Sequence, residues 1–196
     1  MVDTKTEILN AAQLLCQRLG HRGFSFRDLA ASLGIKSSSV HHHFPSKDQL
    51  LHAMVVRYRE NFAKRLGDVS ASAPDARVAI RALVGELEAL LAGEAKLCLC
   101  GMLATESEVL SDELKEDLKL FFESASAWLG GVLEAGRHRG ELSFAGDSKV
   151  VALAIVSSLQ GMLIASRVLG GAPRFREMSG WILGQLEAKS SPEAYT

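Results

Sequence analysis

No stretch of this 196-residue chain offers an uninterrupted apolar run of about 18 residues, so no membrane span is expected. The opening MVDTKTEILN carries acids and amphipathic periodicity, not the basic-then-apolar order of a secretory signal. Cysteine is scarce: three residues, an odd number, two of them separated by a single position. That excludes a disulfide framework and a four-ligand zinc pattern, and it points to a reducing, cytoplasmic setting. There is no nucleophile elbow and no metal-ligand spacing, and the Gly-Gly pairs at 130 and 170 lack the pattern of a phosphate loop. An enzyme is therefore the remote alternative, and no cofactor or metal is expected. Strand signals are almost missing, with only Ser143-Phe144 able to run extended, and no internal repeat occurs.

What is present is an ordinary globular balance, 47% hydrophobic and 23% charged, with a hidden asymmetry. The net charge of −1 sums an N-terminal third (residues 1–66) near +5 and a remainder near −6. A basic segment is the electrostatic footprint of a polyanion partner; scatter along surface helices is the plainer alternative.

Almost everything else reads as helix. Thr4 and Glu7 have capping-box spacing, and Ile8, Ala12, Leu15 and Leu19 recur at helical intervals until Gly20 and Gly23. Ser25, with Asp28 three positions on, caps a second helix whose stripe is Leu29, Ala30 and Leu33, ended by Gly34. A third, short helix sets Val40 and Phe44 inward and small polar or imidazole groups outward. Two short helices joined by a tight Gly-containing turn form a helix-turn-helix, whose second helix suits a DNA major groove. Ser46 and Gln49 open a linking helix over 47–66. The SASAP stretch at 70–74 reads as a hinge, with Pro74 in the first turn of a helix running to 92. A short segment at 97–106 follows, then a helix capped by Ser111 to 139, and two more at 147–169 and 173–188. The 191–196 tail is expected to be disordered.

Residues 1–66 resemble the DNA-binding domain of the TetR family of transcriptional regulators. The resemblance rests on Gly34-Ile35, the polar helix, and His43-Phe44-Pro45-Ser46-Lys47-Asp48-Gln49-Leu50. It implies an all-α fold: a three-helix helix-turn-helix DNA-binding domain (1–50, linking helix 47–66) plus a larger helical ligand-binding and dimerisation domain (67–190). It implies a homodimer on a palindromic double-stranded DNA operator, released by a small-molecule effector of unknown identity. By position it assigns DNA contact to Ser25, Arg27, Ser37, Ser38, Ser39, His41, His42, His43 and Lys47. Two departures stand out. Lys36 replaces a frequent capping Ser or Thr, so Ser37 is expected to take the cap. His41 stands where tyrosine is usual, a shorter and titratable contact. Three consecutive helical imidazoles point about 100° apart and cannot converge on one metal ion.

In the larger domain, Ser158, Gly161 and Ala165, with Phe175, Met178, Trp181, Ile182 and Gln185, form a stripe suited to a dimer seam, with burial inside the same chain as the alternative. Phe62, Leu66, Leu87, Leu103, Glu106, Phe122, Trp128 and Met162 are candidate pocket walls, although periodicity cannot separate pocket from packing. Cys98 and Cys100 could be redox or electrophile sensors, as in some members of the family. Two small buried side chains is the plainer reading.

Overall fold

The structure, a computed structural model, describes residues 3–92 and 96–186. Among these residues lie nine α-helices: α1 (Thr4–Leu19), α2 (Phe26–Leu33), α3 (Ser37–His43), α4 (Lys47–Ser72), α5 (Ala76–Leu91), α6 (Leu99–Ala104), α7 (Asp112–His138), α8 (Ser148–Leu169) and α9 (Ala172–Gln185). The all-α class is as expected. The end of the 173–188 helix and the 191–196 tail lie outside the described residues. Two compact units are interleaved in sequence. The first combines Met1–Arg65 with Leu90–Ser124, and the second combines Leu66–Ala89 with Ala125–Thr196.

Local chemistry explains the helix ends, with four corrections. Ser25 and Asp28 do form a reciprocal capping box on α2, and Gly34 ends that helix in the left-handed region at φ 65°. Asp3, not Thr4, holds the cap position of α1, and no side chain caps it. Lys36, not Ser37, is the extended cap residue of α3. The supposed hinge is helical as far as Ser72, because the Ala73 amide still finds the Val69 carbonyl at 2.8 Å. Pro74 lies outside α5; Asp75 caps that helix by accepting from the Val78 amide at 2.8 Å.

The first unit's core joins Ile8, Ala12 and Cys16 of α1 to Leu29, Val40 and Phe44, and to Leu50, Met54, Tyr58 and Phe62 of α4. Phe121 of α7 closes it, its ring 5.1 Å from that of Phe62 and 5.8 Å from that of Tyr58. In the second unit, α5, α7, α8 and α9 bury Ile80, Leu83, Leu129, Leu133, Leu159, Leu163 and Phe175. One helix, α8, is long and apolar enough to cross a membrane by length and composition alone, with a third of its most apolar window buried in the protein. Its other face carries Val150, Leu153, Ile164 and Val168, all exposed.

Gly136 of α7 is fixed by packing. A Cβ there would lie 2.5 Å from the Ala76 methyl and 2.8 Å from Leu142 Cδ1, whereas one on Gly67 of α4 would meet nothing within 4 Å. Gly136→Ala should destabilise the protein by about 1–3 kcal/mol through overpacking. Gly67→Ala should stabilise it by about 0.5–1 kcal/mol through helix propensity. Urea unfolding of both variants checks the contrast; equal effects would show that α7 does not pack on α5 at this point.

Candidate nucleic-acid interface

The recognition element is α3. Val40 and Phe44 anchor it from within, both buried, and leave Ser38, His41 and His42 exposed with Ser37, Ser39 and His43 half-buried. None of the three serine hydroxyls is hydrogen-bonded to another described residue, so each is available to donate or accept. His41 stands edge-on to Phe26 of α2, ring centroids 4.8 Å apart, and His42 edge-on to His43 at 5.4 Å. Arg27 projects from the exposed side of α2.

Two assigned contacts have other duties. The Ser25 hydroxyl donates to Asp28 Oδ2 at 2.6 Å and accepts from the Asp28 amide, while the Ser25 amide also binds that carboxylate at 2.8 Å. The Ser25 hydroxyl and amide hold the Asp28 carboxyl below the usual range. The helix start is thus already supplied with a negative charge, which corrects the reading of Ser25 as a free phosphate ligand. Lys47 is a larger correction. Its ammonium donates to the backbone carbonyls of His21 and Phe24 and lies 4.2 Å from the Phe24 ring centroid. Burial holds that ammonium below the ordinary lysine range. Lys47 is a clamp on the turn between α1 and α2, not a side chain waiting for a phosphate.

Glu106 grips the same turn from the other side. Its Oε2 accepts from the His21 amide at 2.8 Å and lies 2.9 Å from His21 Nδ1. Burial works to raise the carboxyl pKa, yet hydrogen bonds from His21 and Arg22 keep it below the ordinary range. Gly20, at φ 79°, leaves room for that carboxylate, which a Cβ would meet at 3.0 Å. Glu106 therefore packs on the α1–α2 turn of the first unit. Sequence reasoning also missed Gln17, buried in α1, which donates to the Leu97 carbonyl at 2.9 Å while the Leu97 amide returns a bond to the Gln17 carbonyl.

The remaining pocket candidates divide between the two units. Phe62 and Leu103 are buried in the core of the first unit, where Phe122 is half-buried against Phe121. Leu66, Leu87, Trp128 and Met162 belong to the second. Trp128 alone lines a sizeable cleft, about 400 Å³, walled by Ala76, Ala79, Gly131 and Ala135 with Asp75 and Arg139 also lining it. The indole N–H donates to Ser70 Oγ at 2.8 Å. All three thiols are buried. Burial pushes Cys100 up and Cys16 to about 12, and Tyr58 donates its hydroxyl to Cys98 Sγ at 3.6 Å. Buried thiols are poorly accessible to a reagent.

Of the seam candidates, Phe175 is fully buried in its own unit, a correction, and Met178, Ile182 and Ala165 are half-buried. Ser158, Gly161 and Gln185 are exposed, and Trp181 is 68% exposed. The sequence reading overlooked Leu153, Ile164 and Val168, which fall on the Gly161 face of α8 at intervals of 11, 4 and similar helical steps. That spacing was the available signal.

The geometry is matched by relatives. A profile described as bacterial regulatory proteins, tetR family, covers residues 8–54. The chain is 30% identical over 152 residues to the HTH-type transcriptional repressor KstR2 of Rhodococcus jostii (strain RHA1), covering 74% of this chain and 70% of that protein. A solved TetR-family transcriptional regulator from Agrobacterium tumefaciens superposes with a TM-score of 0.90 at 30% identity, over 94% of this chain and 97% of that one. A TetR transcriptional regulator from Legionella pneumophila gives 0.87 at 31% identity, over 95% and 99%.

If Lys47 serves the turn, Lys47→Ala should lower stability by about 1–3 kcal/mol, because two carbonyls lose a charged donor. A thermal or urea melt in the absence of DNA checks this. An unchanged melt with weakened DNA binding would restore the phosphate role.

Proposed function

This chain belongs to the TetR family of bacterial regulatory proteins, and from that membership we propose that it is a cytoplasmic repressor, reading a palindromic operator as a homodimer and released by a small-molecule effector. As a member of that family it is a DNA-binding transcriptional regulator and not an enzyme. The observation that carries the finer reading is the exposed polar face of α3, three uncommitted hydroxyls and two imidazoles on a helix anchored by Val40 and Phe44. Serine either donates to or accepts from base edges, while Arg27 and the imidazoles suit phosphates.

The partner surface is the exposed apolar stripe of α8 with Trp181 of α9. Val168 is 83% exposed, and Leu153, Ile164 and Trp181 are each about half exposed or more. Such a contiguous stripe is costly in water, and the small residues Ser157 and Gly161 between its apolar members let a second helix approach closely. A twofold dimer carries two α3 helices, which suits operator half-sites one helical turn apart, roughly 34 Å. The stripe also accounts for the apolarity of α8 without a membrane. For the effector, the Trp128 cleft is the candidate site, offering an indole and alanine walls to a flat, largely apolar molecule. Such a ligand acts only by binding the DNA-competent and released states unequally.

Trp181→Asp is expected to give a folded monomer that has lost high-affinity operator binding, since an unpaired carboxylate in an apolar seam costs several kcal/mol or forces dissociation. Sedimentation velocity across concentration, with duplex binding on the same samples, reads both effects. A variant that stays dimeric would move the seam elsewhere on the molecule.

A further inference from the structure

The six histidines fall into two groups. His21, His52 and His138 each have a carboxylate close to a ring nitrogen: Glu106 at 2.9 Å, Asp117 at 2.7 Å and Glu134 at 2.9 Å. The three histidines of α3 have none among the described residues. His41 and His42 make ring contacts with Phe26 and His43. The adjoining elements carry charged groups of both signs. Arg27 and Asp28 come from α2, and the Asp28 carboxylate is bound to Ser25. Lys5 of α1 lies 5.8 Å from the Phe44 ring centroid. From α4 come Lys47, committed to backbone carbonyls, and Asp48, whose Oδ1 accepts from Ser111. Lys36 stands at the head of α3 itself. Among the described residues no carboxylate forms an ion pair with either imidazole, although both are exposed on the face that meets DNA.

We propose that His41 and His42 take up protons when α3 engages DNA, so that the phosphate backbone is their counter-charge and binding tightens as the medium acidifies. The proposal rests on the DNA-binding reading and adds to it a second ligand, the proton. Imidazole titrates near neutrality, so it can change charge within the physiological range. A nearby phosphate favours the imidazolium over the neutral ring, and linkage then requires proton uptake on binding. The sign follows: the bound state holds more protons than the free state, so the association constant falls as pH rises. Each imidazolium that meets a phosphate also displaces about one condensed counterion, so the salt dependence should steepen at low pH.

The test uses the full chain and a fluorescein-labelled duplex of about 30 base pairs of arbitrary sequence, since phosphate contacts do not depend on base identity. Anisotropy titrations run at low salt and constant ionic strength, at pH about 6 and about 8. Wild type should bind at least about tenfold more tightly at the lower pH. His41→Gln and His42→Gln together should remove most of that difference. Calorimetry of the wild type at neutral pH, in two buffers of different ionisation enthalpy, counts the protons directly and needs no variant. A net uptake is expected. Binding that is equal at both pH values, or a pH difference fully retained in the double variant, overturns the proposal and leaves the DNA-binding reading standing. No binding to duplex at either pH overturns both.

Discussion

The turn at residues 21–24 is held by two opposite charges. Glu106, just beyond α6, takes its amide groups; Lys47, at the start of α4, takes its carbonyls. A tight turn between two helices leaves backbone donors and acceptors without helical partners, and leaving them dry and unpaired would cost more than any side-chain contact nearby could return. Charged partners are the strongest available solution. The consequence reaches α3. The turn sets where α2 begins, the Ser25–Asp28 box fixes that start, and α2 packs on α3. The angle at which the recognition helix presents its serines therefore depends on two residues bound to the α1–α2 turn.

Because one of the two is appended to α6, the head is joined to a segment outside the helix-turn-helix motif. The reciprocal bonds between Gln17 and Leu97 strengthen the same junction. The first compact unit accordingly includes residues 90–124 as well as the N-terminal helices. The DNA-reading head is a packing unit larger than the motif that identifies it. A ligand that shifts α6 would act on the α1–α2 turn through a single carboxylate.

Much of this was legible in the sequence where the physics is local. The capping box of α2, the Gly34 stop and the inward pair Val40 and Phe44 all lie within a few residues of one another, and each appeared as read. Lys47 and Glu106 were misread because their partners lie 23, 26 and 85 positions away, beyond any helical period. The α9 stripe was half right for a different reason. Phe175, Ile182 and Leu186 share one side of a helix, and Trp181 stands roughly 120° around from Phe175. Periodicity groups residues by face, but it does not say whether a face meets the protein's own core or another copy. Exposure separates them: Phe175 is fully buried and Trp181 is 68% exposed. Pocket walls were the least legible, since alanine and glycine dominate the Trp128 cleft and large apolar residues were the ones sought.

The charge asymmetry now has a structural counterpart. The basic N-terminal third carries the exposed recognition face, while the acidic remainder carries the exposed apolar stripe of α8. The most direct measurement is selection of binding sites from a pool of random duplexes with the full-length wild-type protein, followed by sequencing. The expected result is enrichment of an inverted repeat with half-sites about one helical turn apart, lost when Ser37 and Ser38 are both replaced by alanine. A pool that remains unenriched, or a preferred sequence without twofold symmetry, would contradict a dimeric operator-binding regulator.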